Sequence, residues 1–399
     1  MITLNNNQIQ DLFNKKAILE NGINEILTIT LNAIMHAERH AFLSTEEGKR
    51  SGENRANGYR PIRVNGYGRM LSLAIPRDRL GLFQPLLTMM LKEEEEETRN
   101  LVFELYREGL TTRRIAKVLS KLFQRKYEKS VISTMTQSFK DTMQAWRNKQ
   151  LEKEYLLLSL DAIHTKVRRE TVQGEAFYVA IGLKKDFTRE VVGLYSKPTE
   201  SAAGWKECLE DMQKRGLQNV DLIIADGLTG LEDKVLEAFP SVRFQKCVVH
   251  LKRNILNQIR PGDKGAITND LEHLFDVHDN RYTKEEAYDR AEKICCNWGK
   301  KYPAIKQRLG RKNLRPYLTC LDYNFHIRRM IYTTNWVERL NGEFRRALKI
   351  RRAMPSCESV LLLLSAVACQ VEQEVYNRPL SLFKKEPRFL GEVLFSEEE

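Results

Sequence analysis

Leu156, Leu157, Leu158, Ser159 and Leu160 form a nearly unbroken apolar run that closes on Asp161. A strand covered on both faces reads as such a run, whereas a strand with one wet face alternates. The run therefore predicts a central strand in a layered α/β sheet, with Asp161 at its end. An isolated buried carboxylate is costly unless hydrogen bonds, a counter-charge or a metal ion satisfy it. The simpler alternative is a turn aspartate at a strand-to-loop boundary.

The α/β pattern continues from there. Residues 176–183 and 190–195 read as two further strands, antiparallel neighbours of the first. A helix over 201–215 leads to a second buried run, Val220 to Asp226, which again ends in an acid and is followed by Gly227. A helix through Val235 and Leu236, a fifth strand over 242–247 and a basic helix with His250 and two candidate DNA contacts, Lys252 and Arg253, complete the pattern. From about 262 to 325 the chain is instead helical and rich in charge and aromatic residues, which predicts a helical insertion. Trp298 within it is either core or a stacking residue. An amphipathic helix with Glu338, a basic stretch from Arg345 to Arg352, a last apolar helix over 356–376 and a frayed Glu397–Glu399 end follow.

Ahead of the sheet, residues 1–50 carry apolar positions such as Ile18, Leu19, Ile23, Ile26 and Leu27 at helical spacing. Residues 52–68 are rich in Gly, Asn and Arg and read as loops beside a short strand, Met70 to Ile75, stopped by Pro76. Glu93 to Glu97 fit a solvated helix face. Then come an apolar helix through Leu101 and Tyr106, Gly109, a second helix capped by Thr111, and a third beginning near Ser130. This spacing fits a helix-turn-helix unit, for which Arg113, Arg114, Ser133 and Thr134 are the first candidates for backbone or base contacts. A small three-helix bundle that binds nothing reads similarly. Residues 140–150 are expected to be a connector.

With 65 Lys and Arg against 53 Asp and Glu, the formal net charge is +12. That excess suits a phosphate-rich partner. Seven cysteines without regular spacing argue against a disulfide framework and for reduced, cytoplasmic thiols. Neither a secretory leader nor an apolar run of membrane-spanning length is visible, so no membrane partner is expected.

Three acids stand out by position: Asp161 and Asp226 at strand ends, and Glu338 one turn into a helix. Strand-end carboxylates meet when their strands are neighbours, and a helix across that edge can add a third. Three hard oxygen donors suit Mg²⁺ or Mn²⁺. Two such ions would serve an in-line displacement at a phosphodiester. Glu343 is the rival third ligand, but five residues along a helix turn about 140° around its axis, so it and Glu338 cannot face one site. Cys247 and His250 form half of a possible zinc site for which adjacent Cys295 and Cys296 lack the spacing. His164, three residues past Asp161, either approaches the site or is simply exposed. Arg339, Asn341, Arg345 and Arg346 share the Glu338 helix and are candidates for phosphate contacts, a solvated basic face being the alternative.

The segments Asp161-Ala-Ile-His-Thr-Lys-Val167, Ala225-Asp-Gly-Leu-Thr-Gly-Leu231, Cys247-Val-Val-His250 and Tyr332-Thr-Thr-Asn-Trp-Val-Glu-Arg-Leu-Asn-Gly-Glu-Phe-Arg-Arg346 resemble the signatures of Mutator-type transposases of bacterial insertion sequences. Asn57-Gly-Tyr-Arg60 and residues 75–83 extend the resemblance upstream, and Arg60 joins the candidate DNA contacts. The resemblance implies an RNase H-like catalytic core, a mixed five-stranded sheet with flanking helices, interrupted by an all-helical insertion. It further implies a DDE triad of Asp161, Asp226 and Glu338, with His250, beside Cys247, near the scissile phosphate. The expected division is an N-terminal region over 1–92, a helix-turn-helix domain over 93–150, the core over 151–261 and 328–399, and the insertion over 262–327. The expected function is a transposase that binds terminal inverted repeats and target DNA as a homodimer, cleaves and joins strands with two Mg²⁺ or Mn²⁺ ions, and follows a copy-out route through a circular intermediate. The competing classes are a non-catalytic DNA-binding regulator and an RNase H-like nuclease without strand transfer.

Overall fold

The computed structural model describes residues 21–386 except 51, 67–68, 124–125, 128, 169–171 and 352–353. The first twenty residues of the expected N-terminal helical region, Arg352 of the basic stretch and Glu397–Glu399 therefore lie outside the described residues. The chain divides into two compact units, residues 1–139 and 140–399.

In the first unit, helix α1 (Asn21–Ser44) and the short α2 (Glu46–Lys49) precede an antiparallel hairpin of β1 (Ala56–Gly66) and β2 (Arg69–Asp78). The hairpin corrects two expectations: residues 56–66 are strand and not loop, and β2 continues through Pro76, which pairs with Tyr59. In a two-stranded sheet each strand is an edge, so a residue without an N–H removes no bond from a second neighbour. Gly58, at φ +64, stands where the register shifts between Ala56 and Tyr59. Leu31 and Met35 of α1 pack on Leu71, Leu73 and Ile75 of the hairpin.

Two side chains lock the motifs around residues 57–60 and 75–83. Arg39 donates to the carbonyl oxygens of Gly58 and Arg77, at 3.0 and 3.1 Å, and lies over the Tyr59 ring. Asp78 is 2% exposed. Burial opposes its charge, but donors from Asn54, Leu82 and Phe83 hold its carboxyl below the usual range. Three helices follow: α3 (Leu86–Arg107), α4 (Thr112–Leu122) and α5 (Lys129–Arg147). The Thr111 hydroxyl accepts from Arg114 N and caps α4, while Gly109 takes φ +87 in the turn before it. The expected connector over 140–150 is helical as far as Arg147, so the division between units falls inside α5.

The second unit is built on a five-stranded mixed sheet. Its strands are β3 (Glu154–Arg168), β4 (Val172–Leu183), β5 (Arg189–Lys197), β6 (Asn219–Ala225) and β7 (Arg243–Lys246), in the spatial order β5-β4-β3-β6-β7. The first three are antiparallel neighbours, as expected, whereas β6 and β7 run parallel to β3. Leu158 and Leu160 face one side of β3, where α6 (Ala202–Lys214) and α7 (Leu231–Ala238) pack through Trp205, Leu209, Met212, Leu231 and Val235. Since side chains alternate along a strand, Leu157, Ser159 and Asp161 face the other side. There α14 (Asn335–Lys349) packs on β3 and β4, and α15 (Cys357–Val371) on β5. Both faces of β3 are covered, which is why its sequence is a run.

The short α8 (Val248–Leu256) leads into an all-helical segment: α9 (Pro261–Leu274), α10 (Lys284–Trp298), α11 (Pro303–Leu309), α12 (Arg311–Leu314) and 3₁₀ turns to Asp322. Residues 262–325, read from the sequence as mostly helical, are so here. Trp298 is half-buried and donates to Asp270 at 2.8 Å. Helix α13 (Phe325–Ile331) returns the chain to the sheet. Among the described residues no helix is long and apolar enough to cross a membrane, and all seven cysteines are free thiols.

Candidate active site

Asp161 does not end its strand, contrary to the sequence reading, because the antiparallel ladder with β4 continues to Arg168. What ends near it is the parallel ladder with β6, whose last registered pair is Ser159 with Ile224. Two residues past that pair stand Asp161, still within β3, and Asp226, the first residue after β6, whose charge acts on the Asp161 carboxyl. The β6 chain leaves the sheet there, so the carboxylates stand where the sheet narrows.

Helix α14 supplies the opposite wall. Glu338 lies in its first turn, where the positive end of the helix dipole favours a carboxylate. Asn341 is three residues on, on nearly the same face. Its Nδ2 donates to Asp161 Oδ2 at 2.9 Å, and the residue is 0% exposed. Asn341, a candidate for phosphate contact with a solvated basic face as the alternative, is thus buried against Asp161 and not on a solvated face. Glu343 turns away and pairs with Arg346 at 2.7 Å.

His250 lies between the acids. Its Nδ1 is 3.6 Å from Asp226 Oδ1, and its Nε2 is 3.6 Å from Glu338 Oε1. The Cys247 side chain beside it is the main cause that pushes its pKa up to about 9, with Asp226 and Asp161 adding to this and burial opposing it. The Asp161 carboxyl is held above its usual range, chiefly by burial and further by Asp226 and Glu338, while His250 pulls it down. The three acids and the imidazole thus form one electrostatic cluster.

Backbone bonds around Cys247 explain why the separate motifs meet. Cys247 N donates to Ala225 O at 2.8 Å, and Val248 N donates to Tyr332 O at 3.0 Å. The buried Thr334 hydroxyl donates to Cys247 Sγ at 3.5 Å. The strand carrying Asp226, the helix carrying His250 and the turn before Glu338 are joined at this one residue.

Two donor sets share Glu338. Cys247, His250 and Glu338 offer atoms within 4.8 Å of one another. The oxygen-only set of Asp161, Asp226 and Glu338 has the chemistry of a hard divalent ion's ligands but is not gathered within that distance. Glu338 Oε1 is buried without a hydrogen-bond partner, which suits an atom that receives a cation.

The sequence reading missed Glu200, just ahead of α6. Its carboxyl is raised by burial first and then by Asp161 and Asp226, which places it in the same cluster. His164 is 58% exposed and lies 4.0 Å from Glu200 Oε2. No periodicity marks a residue between a strand and a helix cap, so only packing shows Glu200. The other basic candidates divide by position. Arg253, Arg339, Arg345 and Arg346 are exposed, while Lys252 is half-buried against the Phe275 ring. In the first unit Arg60, Arg113, Arg114, Ser133 and Thr134 are exposed on their elements.

The second unit is thus a mixed α/β fold, a five-stranded mixed sheet with an all-helical segment between β7 and α13. The model of the family described as "Transposase, Mutator family" matches residues 2–377, and the chain belongs to that family. It is 29% identical over 357 residues to the transposase for insertion sequence element IS1201 of Lactobacillus helveticus, covering 89% of this chain and 93% of that one. It is 30% identical over 390 residues to a probable transposase for an ISRM3-like element of Sinorhizobium fredii, covering 97% and 94%. The transposase for IS256 in transposon Tn4001 of Staphylococcus aureus is 29% identical over 381 residues, covering 93% and 95%.

Proposed function

We propose that this protein is a DDE transposase with an RNase H-like core, in which Asp161, Asp226 and Glu338 hold divalent ions at a DNA phosphodiester. The observation that supports the reading is the proximity of the acids: His250 is 3.6 Å from both Asp226 and Glu338, and both of those carboxylates act on the buried Asp161 carboxyl. Mg²⁺ or Mn²⁺, two per site, would supply Lewis-acid activation of the attacking oxygen and stabilise the leaving one. The chain's own residues do the positioning. Asn341 fixes the Asp161 carboxylate by its hydrogen bond, and the Cys247 bonds fix the spacing of Asp226, His250 and Glu338. His250, as a cation close to the scissile phosphate, offsets negative charge beside the acids.

The protein first binds its terminal inverted repeats, with α4 and α5 of the first unit as a helix-turn-helix and Arg113, Arg114, Ser133 and Thr134 as the contacts. One strand is hydrolysed at the element end, and the freed 3′-hydroxyl then attacks another phosphodiester. Two ends must be held together, which calls for a homodimer on DNA. The family membership supports a copy-out route through a circular intermediate. The test is a joining assay with end DNA and Mg²⁺ or Mn²⁺, comparing wild type with Asp161→Asn, Asp226→Asn and Glu338→Gln. Each variant is expected to bind end DNA but to form no joined product. Undiminished joining by any one of them would remove that residue from the triad, and cleavage without joining by wild type would identify a nuclease.

A further inference from the structure

The helical insertion folds back onto the outer strand β7 and leaves a cleft beside it. Gln245, 0% exposed, donates from Nε2 to Tyr317 O at 3.0 Å and accepts from Cys320 N at 2.6 Å. The Thr319 hydroxyl donates to Phe244 O at 2.7 Å. These bonds fix the 3₁₀ turns of the insertion on the sheet edge. Between residues 307–319 of the insertion and the edge formed by α7 and β7 lies a cleft of about 1190 Å³. That is larger than the roughly 300–1,000 Å³ typical of small-molecule pockets.

The cleft begins next to the acids. Gly227, the residue after Asp226, lines it. A Cβ on Gly227 would stand 2.7 Å from the Tyr317 hydroxyl, so glycine is what lets Tyr317 close in there. Burial, and then the charge of Asp226, push the Tyr317 hydroxyl up to about 12, in keeping with that proximity. Tyr317 is therefore a wall common to the cleft and the carboxylate cluster.

Its lining is strongly basic. Lys246 and Lys284 are engaged by Glu232 and Asp322, at 2.9 and 2.6 Å. Arg311, Lys312 and Arg315, by contrast, are exposed along the rim, with Arg308 half-buried beside them. Arg311 lies 4.4 Å over the Tyr288 ring, which holds the guanidinium in place and leaves its edge free to donate. Of the acids that line the cleft, Asp233 joins Glu232 on the α7 side, away from this rim. Cations strung along a groove that is open to solvent fit a chain of phosphates better than a single anion.

We infer that this cleft is a track for the DNA backbone leading to the carboxylate cluster, with Arg308, Arg311, Lys312 and Arg315 as its phosphate contacts. The direction of the track rests on the transposase reading of the cluster; its polyanion chemistry does not. The contacts are sequence-independent and separate from end recognition in the first unit.

The experiment measures binding of the full-length protein to two duplexes, one copied from the DNA bordering its gene and one scrambled, across a salt series. Removing one cation that neutralises a phosphate lowers the log–log salt slope by about 0.9, so Arg311→Ala, Lys312→Ala and Arg315→Ala together should lower it by roughly 2 to 3 for both duplexes. The charge-keeping Arg311→Lys with Arg315→Lys should retain the wild-type slope. Lys312→Gln, at an exposed position, should lower the slope by about 0.9 without disturbing the fold. An unchanged slope in both neutralised variants would overturn the track, as would a loss confined to the native duplex. Because binding is read without chemistry, a wild type that keeps the steep slope but never joins ends would sink the transposase reading and leave the track standing.

Discussion

At the residue scale, the proposed chemistry turns on how Asp161 is held. A carboxylate buried among two other acids is costly alone, and two neighbours reduce that cost: the Asn341 amide by a hydrogen bond, and His250 by charge. Asn341→Ala should therefore lower joining roughly 10- to 100-fold, the usual effect of losing a group that orients a ligand. End-DNA binding, measured by gel shift, should be unchanged, which separates this role from a phosphate contact. His250 gives a pH test in metal-free protein. Its pKa rises from an ordinary 6.5 to about 9 in the folded state, so the stabilisation is complete below pH 6.5 and fades as the pH passes 9. In EDTA, the melting temperature of wild type should fall across that window more than that of His250→Gln. Equal slopes would show that the imidazolium is not stabilised by its neighbours.

At the element scale, α14 does two jobs with two faces. Phe344, Leu340 and Val337 anchor it on the sheet, each at most 1% exposed, while Glu338 and Asn341 point at the acids. Phe344→Ala should cost about 3–5 kcal/mol in urea unfolding, the range for an emptied aromatic core site. Joining should fall in this variant even at temperatures where it remains folded, since the cavity loosens the helix that aims Glu338. The amphipathic pattern of α14 and the apolar runs of β3 and β6 were legible because burial of a face leaves a period in the sequence. The extent of β3 past Asp161 was not, because its outer half pairs with β4 and, by a single bridge, with Met354, and its polar residues resemble a loop. The hairpin of β1 and β2 was hidden for a related reason: glycine, asparagine and proline are turn residues in most settings, and here they occupy strands that are both edges.

At the scale of the whole molecule, the net charge of +12 includes exposed cations in both units. The exposed Arg113 and Arg114 lie at the start of α4 in the first unit, and the rim of the cleft lies in the second. Arg113→Ala with Arg114→Ala should weaken binding to end DNA, lower the salt slope by about 0.9 per cation removed, and reduce the preference for the native end over a scrambled duplex. A preserved preference would move recognition away from α4.

The sequence by itself determined the element types of the sheet, the helical insertion, the three candidate acids and the family resemblance, because each leaves a local trace: an apolar run, a helical period, or a fixed motif. Only the tertiary structure decided that Asp161 and Asp226 follow the end of a shared parallel ladder, and that Asn341 faces inward. It alone joined the motifs at Cys247 and brought Glu200 and Tyr317 to the cluster. Those are contacts between residues far apart in the chain, set by register and packing, and no local pattern encodes them.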